Sequence, residues 1–326
     1  MRHLLTYSLI MLCALMMVGC GGRGNSKATA FQPHHFPSMP EPPAVITEPK
    51  EATEYVLSNY WNEFLAKAYP CDSGIVNGVP ADEVEKAFGT YVTLLERGCG
   101  IDFGRKAMAG FFDKVEKFEA ADTSTNVFEF FEEMVPKYLY DPNSPVRNED
   151  LYLPYVSRLA VSDYVDPDMK PAYDHDAQMC SLNMIGSPAA DFTFTDLGGK
   201  RHTLYGVKAE TTLLFFTNPG CPACKEIIES LTSDGKIAAL VASGRLAVVN
   251  VYIDEELDKW RENASVYPRN WYNGYDQSYI IRSDVTYNVR AIPSLYVLDS
   301  EKKVIMKDAP VENVLPYLDN LVILKE

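Results

Sequence analysis

Positive charge is in short supply in this chain: 30 Lys and Arg face 45 Asp and Glu over 326 residues, a formal net charge of -15. Affinity for nucleic acids comes largely from Lys and Arg on phosphates, so no nucleic-acid partner is expected of so acidic a protein. Histidine is sparse as well, with 5 scattered residues. Outside Cys221 and Cys224 no second pair of Cys or His stands at the spacing of a tetrahedral zinc site, so no metal is expected, nor any cofactor. The apolar run Leu4 to Val18 covers 15 residues. That is short of the roughly 20 a membrane-spanning helix needs. No internal repeat is visible, which speaks against a repeat architecture.

That apolar run follows a basic start at Arg2 and ends in Val18-Gly19-Cys20-Gly21. Small residues before a cysteine read as a lipoprotein cleavage site, with residues 1–19 as signal peptide and Cys20 as the lipidated N-terminus. More than one acyl chain on Cys20 would anchor the protein stably, where a single chain binds only marginally. The expected location is therefore a bacterial membrane, through the lipid anchor, facing the oxidising periplasm. Residues 20–50 hold five prolines between Pro33 and Pro43 and no apolar period. They read as a flexible linker, with His34 and His35 as solvated linker side chains.

From residue 51 to 183 apolar residues recur at three and four. Tyr55, Trp61, Phe64, Leu65 and Ala68 make one stripe, and Val84, Ala87, Phe88, Tyr91, Val92 and Leu95 another. Arg105 to Phe118, Val127 to Tyr138, Glu149 to Val161 and Lys170 to Leu182 carry the same period, with breaks at Pro70 to Pro80, Gly98 to Gly104, Asp141 to Pro145 and Asp166 to Pro171. This predicts an all-α domain over 51–183. Its aromatic stripes, including Phe111, Phe112, Phe118, Phe128, Phe130 and Phe131, are expected to be core rather than a ligand groove.

Beyond Asp191 the period shortens. Phe192 to Asp196 and Arg201 to Leu204 flank Gly198-Gly199 as a hairpin, and Leu213 to Thr217 and Leu246 to Ile253 read as buried strands. Glu255 to Ala264 reads as a helix, Leu295 to Leu298 and Val304 to Met306 as a second hairpin, and Val311 to Leu324 as a closing helix. Cys221-Pro222-Ala223-Cys224 follows the first of the buried strands and opens a helix, where unpaired N–H groups and the helix dipole favour a thiolate. Pro222 suits the first helical turn, which needs no donor from it. Seventy-two residues beyond Cys221, Ile292-Pro293-Ser294 leads into a strand, and proline there suggests a cis peptide. A lone Cys-x-x-Cys can be half of a zinc site, a structural disulfide or a dithiol that turns over. The missing second pair speaks against zinc, and the helix start with a proline opposite favours the redox reading.

These features together resemble the thioredoxin superfamily. Ile185-Gly-Ser-Pro-Ala-Ala-Asp-Phe192 and Gly198-Gly-Lys-Arg-His-Thr-Leu204 are similar to the opening hairpin of its TlpA/ResA and AhpC/TSA branches. Lys137 to Pro145 and Arg147-Asn-Glu-Asp-Leu-Tyr152 are similar to the helical domain that precedes thioredoxin modules in Bacteroidota-type lipoproteins. The resemblance implies an α/β thioredoxin fold over 184–326, a central mixed sheet flanked by helices, preceded by the all-α domain. It also implies a thiol-disulfide oxidoreductase that reduces or isomerises disulfides of extracytoplasmic client proteins and takes electrons from a membrane donor. Cys221 would attack, Cys224 would resolve through a Cys221–Cys224 disulfide, and Pro293 would present backbone to an extended peptide.

The chain departs from that family in places. Gly220 replaces the usual tryptophan and Phe215 stands where a buried aspartate is common. Ile227 replaces the acid beyond the second cysteine, with Glu226 one place earlier and more in keeping with a solvated helix face. Two other readings stay open: a peroxiredoxin-like enzyme, which would want Thr or Ser where Asn218 stands, and a surface binding lipoprotein with vestigial thiols. Cys71 and Cys99 flank one predicted helix and Cys180 lies at the domain junction, so a Cys71–Cys99 disulfide with Cys180 left over is the expectation.

Overall fold

The computed structural model describes residues 31–323, with side chains as far as Leu321. The segment read as a signal peptide, residues 1–19, and the expected lipidation site Cys20 lie outside the described residues.

The helical part is built from α1 (Pro49–Asn59), α2 (Ala81–Gly98), α3 (Ile101–Ala121), α4 (Val127–Leu139), α5 (Glu149–Leu159) and α6 (Lys170–Cys180). The stripe Val84, Ala87, Phe88, Tyr91, Val92 and Leu95 is the buried face of α2, as its spacing requires. Helix α1 stops at Asn59, and turns carry Trp61 and Phe64 into the core. Trp61 is the hub there: the rings of Phe36, Tyr60, Phe64, Phe88, Tyr91, Phe111 and Phe131 all centre within 6.3 Å of it. Aromatic rings packed edge-on at this range fill a core. The break predicted at Gly98 to Gly104 shrinks to Cys99-Gly100, because Gly104 lets α3 run close to α5. A Cβ on Gly104 would meet the Leu151 side chain at 2.5 Å. The break predicted at Pro70 to Pro80 holds a small hairpin, β1 (Ile75–Val76) against β2 (Val79–Pro80).

From Pro33 on, the segment read as linker lies against this core. Phe36 packs between Tyr60, Trp61 and Phe64, its N–H donates to Glu83 Oε2 at 3.0 Å, and the His34 N–H donates to the Gly78 carbonyl at 3.0 Å. His35 stays in solvent, paired at 2.9 Å with Glu83.

The remainder is a seven-stranded mixed sheet in the order β4 (Arg201–Thr203), β3 (Thr193–Asp196), β7 (Tyr272–Tyr275), β6 (Leu246–Tyr252), β5 (Thr211–Phe216), β8 (Ser294–Leu298), β9 (Val304–Met306). The β5–β6 and β6–β7 pairs are parallel and the others antiparallel. Strand alternation sorts the side chains cleanly. Leu213, Phe215, Leu246, Val248, Leu295 and Val297 face α7 (Pro222–Ser233), α8 (Gly235–Ala242) and α11 (Val311–Ile323). Leu214, Phe216, Val249, Val251, Tyr296 and Leu298 form the opposite core with Phe192, Phe194 and Tyr287. This is the thioredoxin-like fold expected of residues 184–326. Helix α9 (Leu257–Asn263) and α10 (Ile280–Ser283) bracket β7, a strand formed within the stretch between Cys224 and Pro293.

From Pro33 on, the described residues form one compact unit. Two acids in the first turn of α5, Glu149 and Asp150, are buried where helical and sheet parts meet. Asp150 pairs with Arg105 and accepts the Ile185 N–H at 3.2 Å. Glu149 takes Lys307 at 2.8 Å and Arg290 at 3.0 Å.

The expected Cys71–Cys99 disulfide is not made; both thiols are free, and so is Cys180. Cys99 caps the C-terminal end of α2, whereas Cys71 lies beyond its other end, with Sγ against the Ser124 carbonyl at 3.7 Å. Cys99 stands just before α3 and Ser124 just past its other end; a 21-residue helix spans about 31 Å, while bridged cysteines have Cα atoms within about 7 Å. Peptide mapping without reductant should recover Cys71 and Cys99 as alkylated free thiols; a linked pair would refute this arrangement.

Candidate active site

Strand β5 is buried along its whole length, and the chain leaves it through Thr217 to Gly220 to start α7. Asn218 shapes that turn: its Oδ1 accepts the Gly220 N–H at 3.0 Å, its carbonyl accepts the Cys221 N–H at 3.0 Å, and its Nδ2 donates to Asp254 at 2.9 Å. Asp254 is held in turn by Arg282 at 2.7 Å. Cys221 is therefore the N-cap of α7, in extended backbone, and its Sγ accepts the Cys224 backbone N–H at 3.1 Å. A helix N–H aimed at sulfur is an arrangement in which negative charge is well held. Pro222 occupies the first turn without leaving a donor unpaired.

One turn deeper, Cys224 is 1% exposed, and burial, followed by the hydrogen bond with Cys221, pushes its thiol up to about 12. Two outcomes follow. Iodoacetamide at neutral pH should modify Cys221 and leave Cys224, because the buried thiol is neither ionised nor reachable; labelling of Cys224 first would reverse the roles. Alkaline stability should also depend on redox state. The folded thiol holds its proton above the ordinary 9.0, so between that value and about 12 the unfolded chain ionises first and the reduced protein loses stability as pH rises. The oxidised protein has no such thiol. Its alkaline unfolding midpoint should lie higher, and equal midpoints would count against the buried dithiol.

The Ile292–Pro293 peptide is cis, and the Ile292 carbonyl lies 3.9 Å from Cys221 Sγ. A groove of about 460 Å³ opens beside Cys221, lined by Asn218, Asp254 and Arg282 and by Val289 to Ile292. Cys221, Cys224 and Pro293 are thus brought together, while Cys71, Cys99 and Cys180 take no part. Glu226 points to solvent and Ile227 into the core, which leaves Glu226 as a surface residue.

Beneath the dithiol, sequence reasoning misses a buried polar chain. Thr217 Oγ1 donates to Asn250 Oδ1 at 2.5 Å and lies 3.1 Å from the Tyr267 hydroxyl. Asn250 Nδ2 donates to Asn273 Oδ1 at 3.0 Å, and Asn273 Nδ2 to the Pro268 carbonyl at 2.7 Å. Thr217 and Asn250 share the face of the sheet that carries Phe215 and Val248, so this chain lies under α7. Its signal in the sequence is Asn250, a lone amide in the apolar run Leu246 to Ile253.

Among solved structures, a thioredoxin-like protein from Bacteroides caccae ATCC 43185 is 32% identical, with a TM-score of 0.73 over 87% of this chain and 98% of that one. The chain belongs to the thioredoxin-like family. The shared length exceeds either part alone, so the likeness takes in the helical part too. Residues 22–183 match the family model described as Domain of unknown function (DUF5106). The C-terminal domain of an uncharacterized protein from Bacteroides fragilis NCTC 9343 is 44% identical over 42% of this chain and 98% of its own, with a TM-score of 0.41. The thioredoxin domain of a thiol-disulfide oxidoreductase from Bacteroides vulgatus is 21% identical over 43% of this chain and 98% of that one, with a TM-score of 0.38. No curated protein matches the chain.

Proposed function

We propose that the protein is a thiol-disulfide oxidoreductase of TlpA/ResA type that reduces or isomerises disulfides of extracytoplasmic proteins through Cys221 and Cys224. The observation that carries this reading is the placement of Cys221: Sγ on the first-turn N–H of α7 and facing the carbonyl before cis-Pro293, with Cys224 buried one turn behind.

In the reducing direction the Cys221 thiolate attacks a client disulfide. One Cys221–client S–S bond forms, the client S–S bond breaks, and the departing client sulfur takes a proton. The Cys224 sulfur, on losing its proton, attacks Cys221; the Cys221–Cys224 disulfide forms and the second client thiol leaves. Two electrons pass from dithiol to client, and a membrane electron donor returns them. The groove beside Cys221 and the backbone around Pro293 fit an extended peptide strand.

Mixing the reduced protein with insulin tests this. The expected products are insulin chains with free thiols and a protein lighter by two hydrogens, its lost thiols mapping to Cys221 and Cys224. A dithiol that no peptide disulfide oxidises would overturn the reading. For location, the proposal is a lipid on Cys20, so labelled palmitate should enter the wild-type protein and be lost in Cys20→Ala. An unlabelled wild-type protein in the soluble fraction would remove the anchor.

A further inference from the structure

Residues 284–293 run from α10 to cis-Pro293 without helix or strand, yet their last four residues before that proline wall the groove beside Cys221. A segment with so few backbone bonds is positioned by its side chains. Tyr287 is buried and donates its hydroxyl to the Ala190 carbonyl at 2.6 Å. The next anchors come from the helical part. A single oxygen, Glu149 Oε1, accepts from Asn288 Nδ2 at 2.8 Å and from Arg290 Nε at 3.0 Å, and so holds the backbone on both sides of Val289. The Arg290 guanidinium lies over the Tyr140 ring, 3.9 Å from its centre. It also reaches Asp308 at 3.4 Å, and Asp308 accepts the hydroxyl of Ser294, the residue after Pro293, at 2.6 Å. Arg147 closes the cluster, donating to the Asp308 carbonyl at 2.9 Å.

Tyr140, Arg147 and Glu149 all belong to the helical part, at the end of α4 and around the start of α5. We propose that the helical part is a brace for the cis-proline segment. Tyr140 and Glu149 are positioning residues that act through Arg290 and Asn288, holding Val289 to Ile292 where an extended peptide must lie against them. A contact that only joined the two parts would have no need to end on this segment; the bond from the Ile185 N–H to Asp150 and the Glu149–Lys307 pair join them without touching it.

This inference rests on the oxidoreductase reading, and its test separates the two. In the full-length protein, Tyr140→Leu removes the stack while keeping every charge, Tyr140→Phe keeps the stack, and Glu149→Ala removes the shared acceptor. With a disulfide-linked peptide as substrate, Tyr140→Leu and Glu149→Ala should raise KM about tenfold, while Cys221 alkylation by iodoacetamide stays within about twofold of wild type. Tyr140→Phe should keep the wild-type KM. Hydrogen exchange over residues 288–292 should rise in Tyr140→Leu and not in Tyr140→Phe. A folded Tyr140→Leu with wild-type KM overturns the brace, as does a KM change matched by an equal loss of alkylation rate. If the wild-type protein reduces no peptide, the oxidoreductase reading falls and the exchange comparison alone decides the brace.

Discussion

Cys224→Ser should accumulate mixed disulfides with client proteins, and Cys221→Ser should accumulate none. The asymmetry follows from the site. Cys221 stands at the helix start on the groove, and a disulfide brought there meets its sulfur first. Cys224, 1% exposed, can reach only a sulfur already bonded to Cys221. Without the resolving thiol the first covalent step still runs and the second stops. Removing the attacking thiol abolishes both, so insulin reduction should fall by on the order of 10³-fold or more in Cys221→Ser. Non-reducing gels of cells expressing each variant, with the captured partners identified by mass spectrometry, give the answer. Trapping that occurs only in Cys221→Ser would assign attack to Cys224.

Lys307→Met should cost about 3 kcal/mol, the low end for breaking a buried ion pair, and lower Tm by roughly 10 °C. The Lys307 side chain is 1% exposed, and its ammonium donates to the carbonyls of Cys180 at 2.7 Å and Leu182 at 2.6 Å while pairing with Glu149 at 2.8 Å. Methionine matches the stem in size, so the loss is electrostatic: Glu149 loses one of its two cations, and two carbonyls lose their donor. Arg290 remains on Glu149, which keeps the effect at the low end. Lys137 on Glu85 is the contrast, since 57% of its side chain is in solvent. Lys137→Met should cost less than about 1 kcal/mol. Urea titrations of both variants decide the matter, and equal midpoints would mean that the junction charges contribute no more than surface ones.

Elements whose identity rests on local spacing are legible in the amino-acid sequence. The stripe Val84 to Leu95 must be one face of a helix because 3.6-residue periodicity admits no other arrangement. The alternation in β5 must split Leu213 and Phe215 from Leu214 and Phe216 for the same kind of reason. Cys221 to Cys224 after an apolar strand, and proline before Ser294, mark the candidate site by position alone. Where spacing conflicts with packing the reading fails. Tyr272 to Tyr275 carries no strand pattern and becomes β7 only by lying between β6 and β3. Gly98 to Gly104 holds glycines that usually break a helix, yet Gly104 continues α3 because the neighbouring helix needs the space. Cys71 and Cys99 flank one helix in the sequence, but Cys71 lies against Ser124 past the far end of α3, whose start Cys99 adjoins.

The amino-acid sequence by itself determined the two-part architecture, the strands of the sheet part other than β7 and the Cys-x-x-Cys at a helix start, since these follow from periods and motifs within a few tens of residues. Only the tertiary structure decided what surrounds the dithiol. Asn250 meets Thr217 across 33 positions, Arg290 meets Glu149 across 141, and Arg147 meets Asp308 across 161. Such pairs leave no periodic trace, because buried charges and amides choose partners by where the folded chain brings them and by the cost of leaving them unpaired.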